Sequence, residues 1–166
     1  MDIIIVSDNA RLLEVWRRHL GDGLPVELWE AEARDVGADA VMVAGVFAHG
    51  RYGGRPTPGR AQILRNVRGD GYPGLVVVPA TRPAMLDGEG RPVVRPEYAD
   101  VSPAYFGVSR ALEAVREWNA GGEVPRVDVL LFPLGLLGME SVEDTATPEA
   151  VGKAVREGWE APGGAS

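Results

Sequence analysis

The chain of 166 residues has no cysteine and only two histidines, His19 and His49. The first absence excludes disulfides, thiol nucleophiles and thiolate metal sites. The second leaves too few imidazoles for a histidine-built metal centre. Neither a metal nor a cofactor is therefore expected, and any chemistry must come from Asp, Glu, Ser, Thr, Tyr, Arg or backbone amides. No apolar run nears the ~20 residues that a spanning helix needs, so a membrane partner is not expected. No basic segment precedes the apolar run Ile3-Ile4-Ile5-Val6. That run reads as a strand rather than a secretory signal, and a cytoplasmic location is the expectation. Positive charge is also in deficit. A net charge of −7 argues against a general nucleic-acid binder, whose footprint is a basic face.

What is present is the makeup of a globular protein: 45% hydrophobic and 25% charged residues, in a length suited to one domain. Residues 1–160 are expected to form that domain, and residues 161–166 to fray. Against the acidic background, the segment from His49 to Gly69 holds five arginines (Arg51, Arg55, Arg60, Arg65, Arg68) and no acid. It is either an anion-attracting segment or a solvated basic face beside acidic neighbours.

Hydrophobic patterning alternates strands with helices. Ile3 to Val6 is apolar and β-branched, as a strand buried on both faces requires, and Ser7-Asp8-Asn9 then offers helix caps. Leu12, Leu13, Trp16 and Leu20 recur at helical spacing until Gly21 and Gly23. Val26 to Trp29 and Asp39 to Ala44 read as strands, the second central. The stretch Val43 to Gly54, "VAGVFAHGRYGG", reads as a glycine-rich loop, and Thr57-Pro58 as the start of a helix with Ile63, Leu64 and Val67 on one face. Leu75 to Val78 is a buried-type strand, and Gly88 to Gly90 turns a small ribbon with Val93-Val94 in one arm. Ser102-Pro103 opens a helix marked by Tyr105, Val108, Leu112, Val115 and Trp118, Val127 to Phe132 forms the last strand, and Thr147-Pro148 opens a final helix through Val151, Val155 and Trp159. The expected fold is a three-layer α/β/α sandwich with a mainly parallel, mixed sheet.

Ligands of such sheets sit beyond the carboxyl ends of the strands. The loops there are Ser7 to Asn9, Glu30 to Glu32, the glycine-rich stretch, Pro79 to Thr81, and Pro133 to Met139. Gly45, Gly50, Gly53 and Gly54 let a backbone approach a phosphate, and Arg51 and Arg55 add positive charge. Neither glycine loop matches the phosphate-binding P-loop, and the dinucleotide fingerprint is absent. A phosphoacceptor receiver would need an aspartate where Val43-Ala44-Gly45 stands. Asp8, Glu30, Glu32 and His49 are the acid–base candidates, while Tyr52, Tyr105 and Phe106 are placed to stack a base or ribose.

The order "IIIVSDNARLLEVW", "VELWEAEARDVGADAVMVAGVFAHGRYGG", "SPAYFGVSRALEAV" and "VDVLLFPLGLLGM" resembles the macro domain family, in particular its short bacterial and phage-type members. The resemblance implies an α/β/α sandwich that binds ADP-ribose, with hydrolysis of ADP-ribosyl or related phosphoester bonds in some members. It places the adenine-recognising carboxylate on Glu32 and the paired glycines on Gly53-Gly54, with Tyr52 where some members have an aspartate. Gly45-Val46 stands where the family has an Ala-Asn pair, and valine offers none of the hydrogen bonds of an amide. The second phosphate loop falls on Leu134, Gly135, Leu136, Leu137, Gly138 and Met139, shorter and more apolar than the family pattern. The implied reading is a divergent macro-like domain that binds a nucleotide-derived or phosphorylated small molecule, lined by these residues and by His49, Gly50, Arg51 and Arg55. One alternative is a hydrolase using His49 or Glu32 to activate water. Another is an interaction module whose cleft is vestigial; no protein partner is identifiable.

Overall fold

The structure, a computed structural model, describes residues 1–160. The expectations for residues 161–166, and for the side chain of Trp159, lie outside the described residues. The first crossover follows the expected course. Strand β1 (Asp2–Ser7) feeds helix α1 (Ala10–His19), whose N-cap Asn9 accepts from the Leu12 N–H at 3.2 Å. This bond satisfies one of the donors that every helix start leaves open. Strand β2 (Val26–Glu30) returns beside β1, and β3 (Ala40–Met42) lies in the middle of the sheet.

The stretch expected to be a loop is helix α2 (Gly45–Tyr52). Its glycines do not break it: Gly45 sits in the first turn, and Gly53 terminates it at φ 92°, a conformation that costs a glycine little. After it, no helix begins at Thr57-Pro58. The chain forms β4 (Gln62–Arg65), antiparallel to β5 (Leu75–Val78). Ile63 packs into one core and Leu64 into the other, so alternation across a sheet, not a helical stripe, accounts for these residues. The ribbon β6 (Ala84–Leu86) and β7 (Pro92–Val94) forms as expected, followed by α3 (Pro103–Ala120), β8 (Val129–Pro133) and α4 (Ala146–Glu160). The first turn of α4 is capped by Asp144, which accepts from the Thr147 N–H and hydroxyl at 3.0 and 2.5 Å, rather than by Thr147 itself.

The six-stranded sheet has the order β2-β1-β8-β3-β5-β4, and every neighbouring pair except β4–β5 is parallel. Two cores flank it. On one face, α1, α3 and α4 bury Trp16, Leu112, Val115 and Val155 against Ile3, Ile5, Leu130 and Phe132. Trp16 and Phe132 stack tilted with centroids 6.0 Å apart. At ~1.5–3 kcal/mol for each large apolar side chain fully buried, this core is the main stabilising contribution. The opposite face is covered more thinly, by α2 and the segments near Val36 and Tyr72 against Ile4, Val6, Val41 and Val76. Among the described residues, no helix is long and apolar enough to cross a membrane.

Candidate functional site

Strands β1, β8, β3 and β5 all end on one edge, and two cavities open there, separated by the loop that follows β8. The first, about 450 Å³, lies between the ends of β1, β2 and β8. Val6, Ala31, Pro133 and Leu136 give it apolar walls, and Asp8, Glu32, Asp35 and Glu140 bring four carboxylates to its rim with Arg34. The Arg34 guanidinium lies 4.9 Å from the centroid of the Tyr72 ring, a cation–π contact that closes one side. This cavity suits a flat group bearing N–H donors.

The second cavity, about 500 Å³, has a different chemistry. The first turns of three helices converge on it: Ala44 and Gly45 of α2, Ser102 to Ala104 of α3, and Thr147 of α4. Each helix start carries partial positive charge. Most polar side chains around the cavity have partners, the Thr81 hydroxyl being without one among the described residues. Ser102 accepts from the Tyr105 N–H at 3.2 Å, Thr147 donates to Asp144, and Arg82 Nη1 donates to the carbonyls of Tyr98, Ala99 and Val101 at 3.4, 3.2 and 3.1 Å. The Ala44 N–H donates to Leu136 O at 3.0 Å, which pins α2 to the loop after β8. The N–H groups of Gly45 and Ala104, by contrast, lie in first turns where no intrahelical acceptor exists, and no other described segment supplies one. These backbone donors, with the Thr81 hydroxyl and the charge of Arg82, are what the cavity offers a ligand.

A third, smaller cavity of about 330 Å³ lies on the other side of the α2 start, lined by Val46, His49, Thr57, Arg60 and Gln62. His49 Nδ1 is 3.0 Å from Gly53 O. A carbonyl only accepts, so Nδ1 is the donor in this contact.

Several residues singled out from the sequence do meet at this edge. Glu32, Gly135 and Leu136 line the first cavity; Gly45, Leu137, Gly138 and Met139 line the second; His49 and Val46 line the third. Others are elsewhere. Leu134 is fully buried in the core beneath the loop, and the Val46 side chain is 98% exposed. Gly50 lies exposed on α2, Gly53 and Gly54 form its C-terminal turn, and Arg55 follows in an exposed segment, so none of these lines the first two cavities.

Arg51 and Tyr52 are likewise not brought to the cleft, because both point to Asp70. Arg51 Nε donates to Asp70 Oδ2 at 2.9 Å and the Tyr52 hydroxyl donates to the same oxygen at 2.7 Å, while Oδ1 accepts from Asn66 and from the Tyr72 N–H. Burial alone would raise the Asp70 pKa; hydrogen bonds from Asn66, Tyr52 and Arg51 outweigh it and hold the carboxyl well below the usual carboxylate range. Burial, aided by the Asp70 hydrogen bond, pushes the Tyr52 phenol up to about 12. This network fastens α2 to the 66–72 turn.

The sequence reading missed Glu140, Arg82 and the first turns of α3 and α4 as walls of the cleft. Ser102-Pro103 and Thr147-Pro148 announced two helix starts, but nothing in the local pattern says that both starts face the same strand ends. Among the described residues, no cluster of His, Asp and Glu is arranged to hold a metal ion. No family model matches this chain, and no curated protein matches it either.

Proposed function

We propose that the strand-end cleft binds a nucleotide-derived or other phosphorylated small molecule, of the ADP-ribose kind that the macro-domain resemblance implies, without cleaving it. The observation that carries this reading is the pair of unpartnered N–H groups of Gly45 and Ala104 at a cavity on which three helix starts converge. Backbone donors at helix starts are the standard seat of a phosphate. The neighbouring carboxylate-rimmed cavity suits the amine edge of a base, with Glu32 as acceptor. An elongated ligand would then lie across the loop from Gly135 to Met139. The positive field comes from the helix-start amides and from Arg82, whose partners are carbonyls, while Arg51 is paired with Asp70. Binding without cleavage rests on the second cavity's lining, which holds no Asp, Glu or His, while His49 faces the third cavity. Among the described residues, no side chain lining this second cavity is of a type that serves as a general base at neutral pH.

Isothermal titration with ADP-ribose, AMP and inorganic phosphate at one ionic strength tests the reading. Saturable binding of ADP-ribose, tighter than either control, is the expected result. No heat with any of the three would overturn it, and release of ADP-ribose from a modified protein substrate would overturn its non-catalytic part.

A further inference from the structure

None of the five arginines of the arginine-rich segment lines the first two cavities, Arg60 alone reaches the third, and the segment's position gives it a different use. Strand β4 is an edge of the sheet. The Asn66 N–H donates to Gly74 O, and the register continues as Arg65 opposite Leu75 and Leu64 opposite Val76. In an antiparallel pair, alternate residues bond inward, so Ile63 and Arg65 present their N–H and C=O groups outward. No other described segment bonds to them.

Four arginines surround this open row: Arg55 and Arg60 before it, Arg65 within it and Arg68 after it. All four are exposed, and among the described residues none has a carboxylate within 4.0 Å, although the chain carries an acidic excess. Arg65 reaches towards α3, with its guanidinium 5.3 Å from the Trp118 ring and Nη2 on Val124 O at 3.2 Å. Arg68 reaches towards α2, with Nη1 on Arg51 O at 3.2 Å. Carbonyl acceptors leave both charges uncompensated. Glu113 and Glu117 share a hollow with Arg60, but Glu113 is paired with Arg110 at 3.0 Å.

We propose that β4 is a docking edge for an acidic, extended segment of a partner protein, which adds to the sheet as a further strand. An added strand sends successive side chains to opposite faces, so carboxylates at odd and even positions meet arginines on the α3 side and the α2 side in turn. The same like charges repel a second β4 edge and disfavour basic strands. The open row is a backbone template and not a stacking platform, since the Trp118 face is covered by Arg65. The site is independent of the ligand reading of the cleft.

The test uses the whole protein and three labelled, end-blocked peptides: a Val-Val-Glu-Glu repeat, which carries carboxylates on both faces of a strand, the same with Lys in place of Glu, and the Glu peptide with a central proline. Fluorescence anisotropy should show saturable binding of the Glu peptide, none of the Lys peptide, and at least about tenfold weaker binding of the proline peptide, which lacks a ladder donor. The double variant Arg65→Glu/Arg68→Glu should reverse the preference between the Glu and Lys peptides, a reversal that misfolding would not produce. Equal binding of the proline peptide, no saturable binding of the Glu peptide, or tighter binding of oligothymidylate would each overturn the proposal. So would concentration-dependent self-association that Glu27→Lys abolishes, because the occupant would then be the β2 edge of a second copy.

Discussion

Gly152 and Gly50 both sit inside helices, and replacing each by alanine should move stability in opposite directions. On an exposed helix, alanine is favoured over glycine by about 1 kcal/mol. Gly50 meets that condition: a Cβ added there has nothing within 4 Å, so Gly50→Ala should stabilise by about 0.5–1 kcal/mol. At Gly152 in α4 a Cβ would lie 1.8 Å from the carbonyl oxygen of Leu20 and 2.8 Å from its carbon. Real Cβ atoms essentially never come closer than 3.0 Å, so the end of α1 must retreat by about 1.2 Å. The obstacle is backbone, which has no alternative rotamer, and its retreat loosens Leu20 and Trp16 in the core they share with Val151 and Val155. Overpacking of this kind costs about 1–3 kcal/mol or more, which exceeds the propensity gain, so Gly152→Ala should destabilise by about 2 kcal/mol. Urea unfolding measures both variants: the midpoint falls for Gly152→Ala and rises for Gly50→Ala, with unchanged slopes. A Gly152→Ala protein as stable as the parent would refute the close approach of α1 and α4.

The Asp70 network gives two pH signatures and the cleft one binding signature. Asp70→Ala leaves Arg51, Tyr52, Asn66 and the Tyr72 N–H without their acceptor, and should cost about 2–4 kcal/mol in the same assay. Because the folded Asp70 pKa lies below its unfolded value, its contribution is present above about pH 4 and disappears as pH falls towards the folded value. The variant should therefore lose less stability on acidification than the parent does. The Tyr52 phenol should ionise near 12, and Tyr52→Phe should remove that late step from a phenolate absorbance titration. The stability it contributes is present below about pH 10 and lost as pH rises through the folded value. Gly45→Pro deletes one donor of the cleft where the chain accepts proline, since Ala44 is extended at φ −60°, ψ 147°. ADP-ribose affinity should fall about tenfold or more by titration calorimetry, with stability changed by less than about 1 kcal/mol.

The long apolar runs were legible because a strand buried on both faces leaves a continuous signature: Ile3 to Val6 and Leu75 to Val78 are strands where expected, and the caps Asn9 and Ser102 open the helices that follow them. Residues 62–65 misled because Ile63, Leu64 and Val67 satisfy a helical stripe as readily as half of a short edge strand. Too few positions separate the two periods, and Val67, which the helical reading needs on a buried face, is 90% exposed. Residues 45–52 misled in the other sense, since their glycines suggested a turn while the packing of Ala48 and Phe47 onto the sheet makes a helix. At the cleft, the strand-end rule found Glu32, Gly45 and the loop after β8. It could not find the start of α3, which reaches the cleft by tertiary packing rather than by directly following a strand of the sheet.

One reversed strand shapes the rim more than its four residues suggest. Because β4 runs against its neighbour β5, Gln62 pairs with Val78, and the chain enters β4 at the edge where the parallel strands finish. The connection from Gly53 to Ala61 is thereby delivered to the edge where the parallel strands end, and Pro56, Thr57 and Arg60 line the cavity beside His49. Residues 53–58 of that connection are exposed, so they can be exchanged without disturbing the core against which Ala61 packs. Grafted segments inserted there would reshape the third cavity while the scaffold beneath it stays the same.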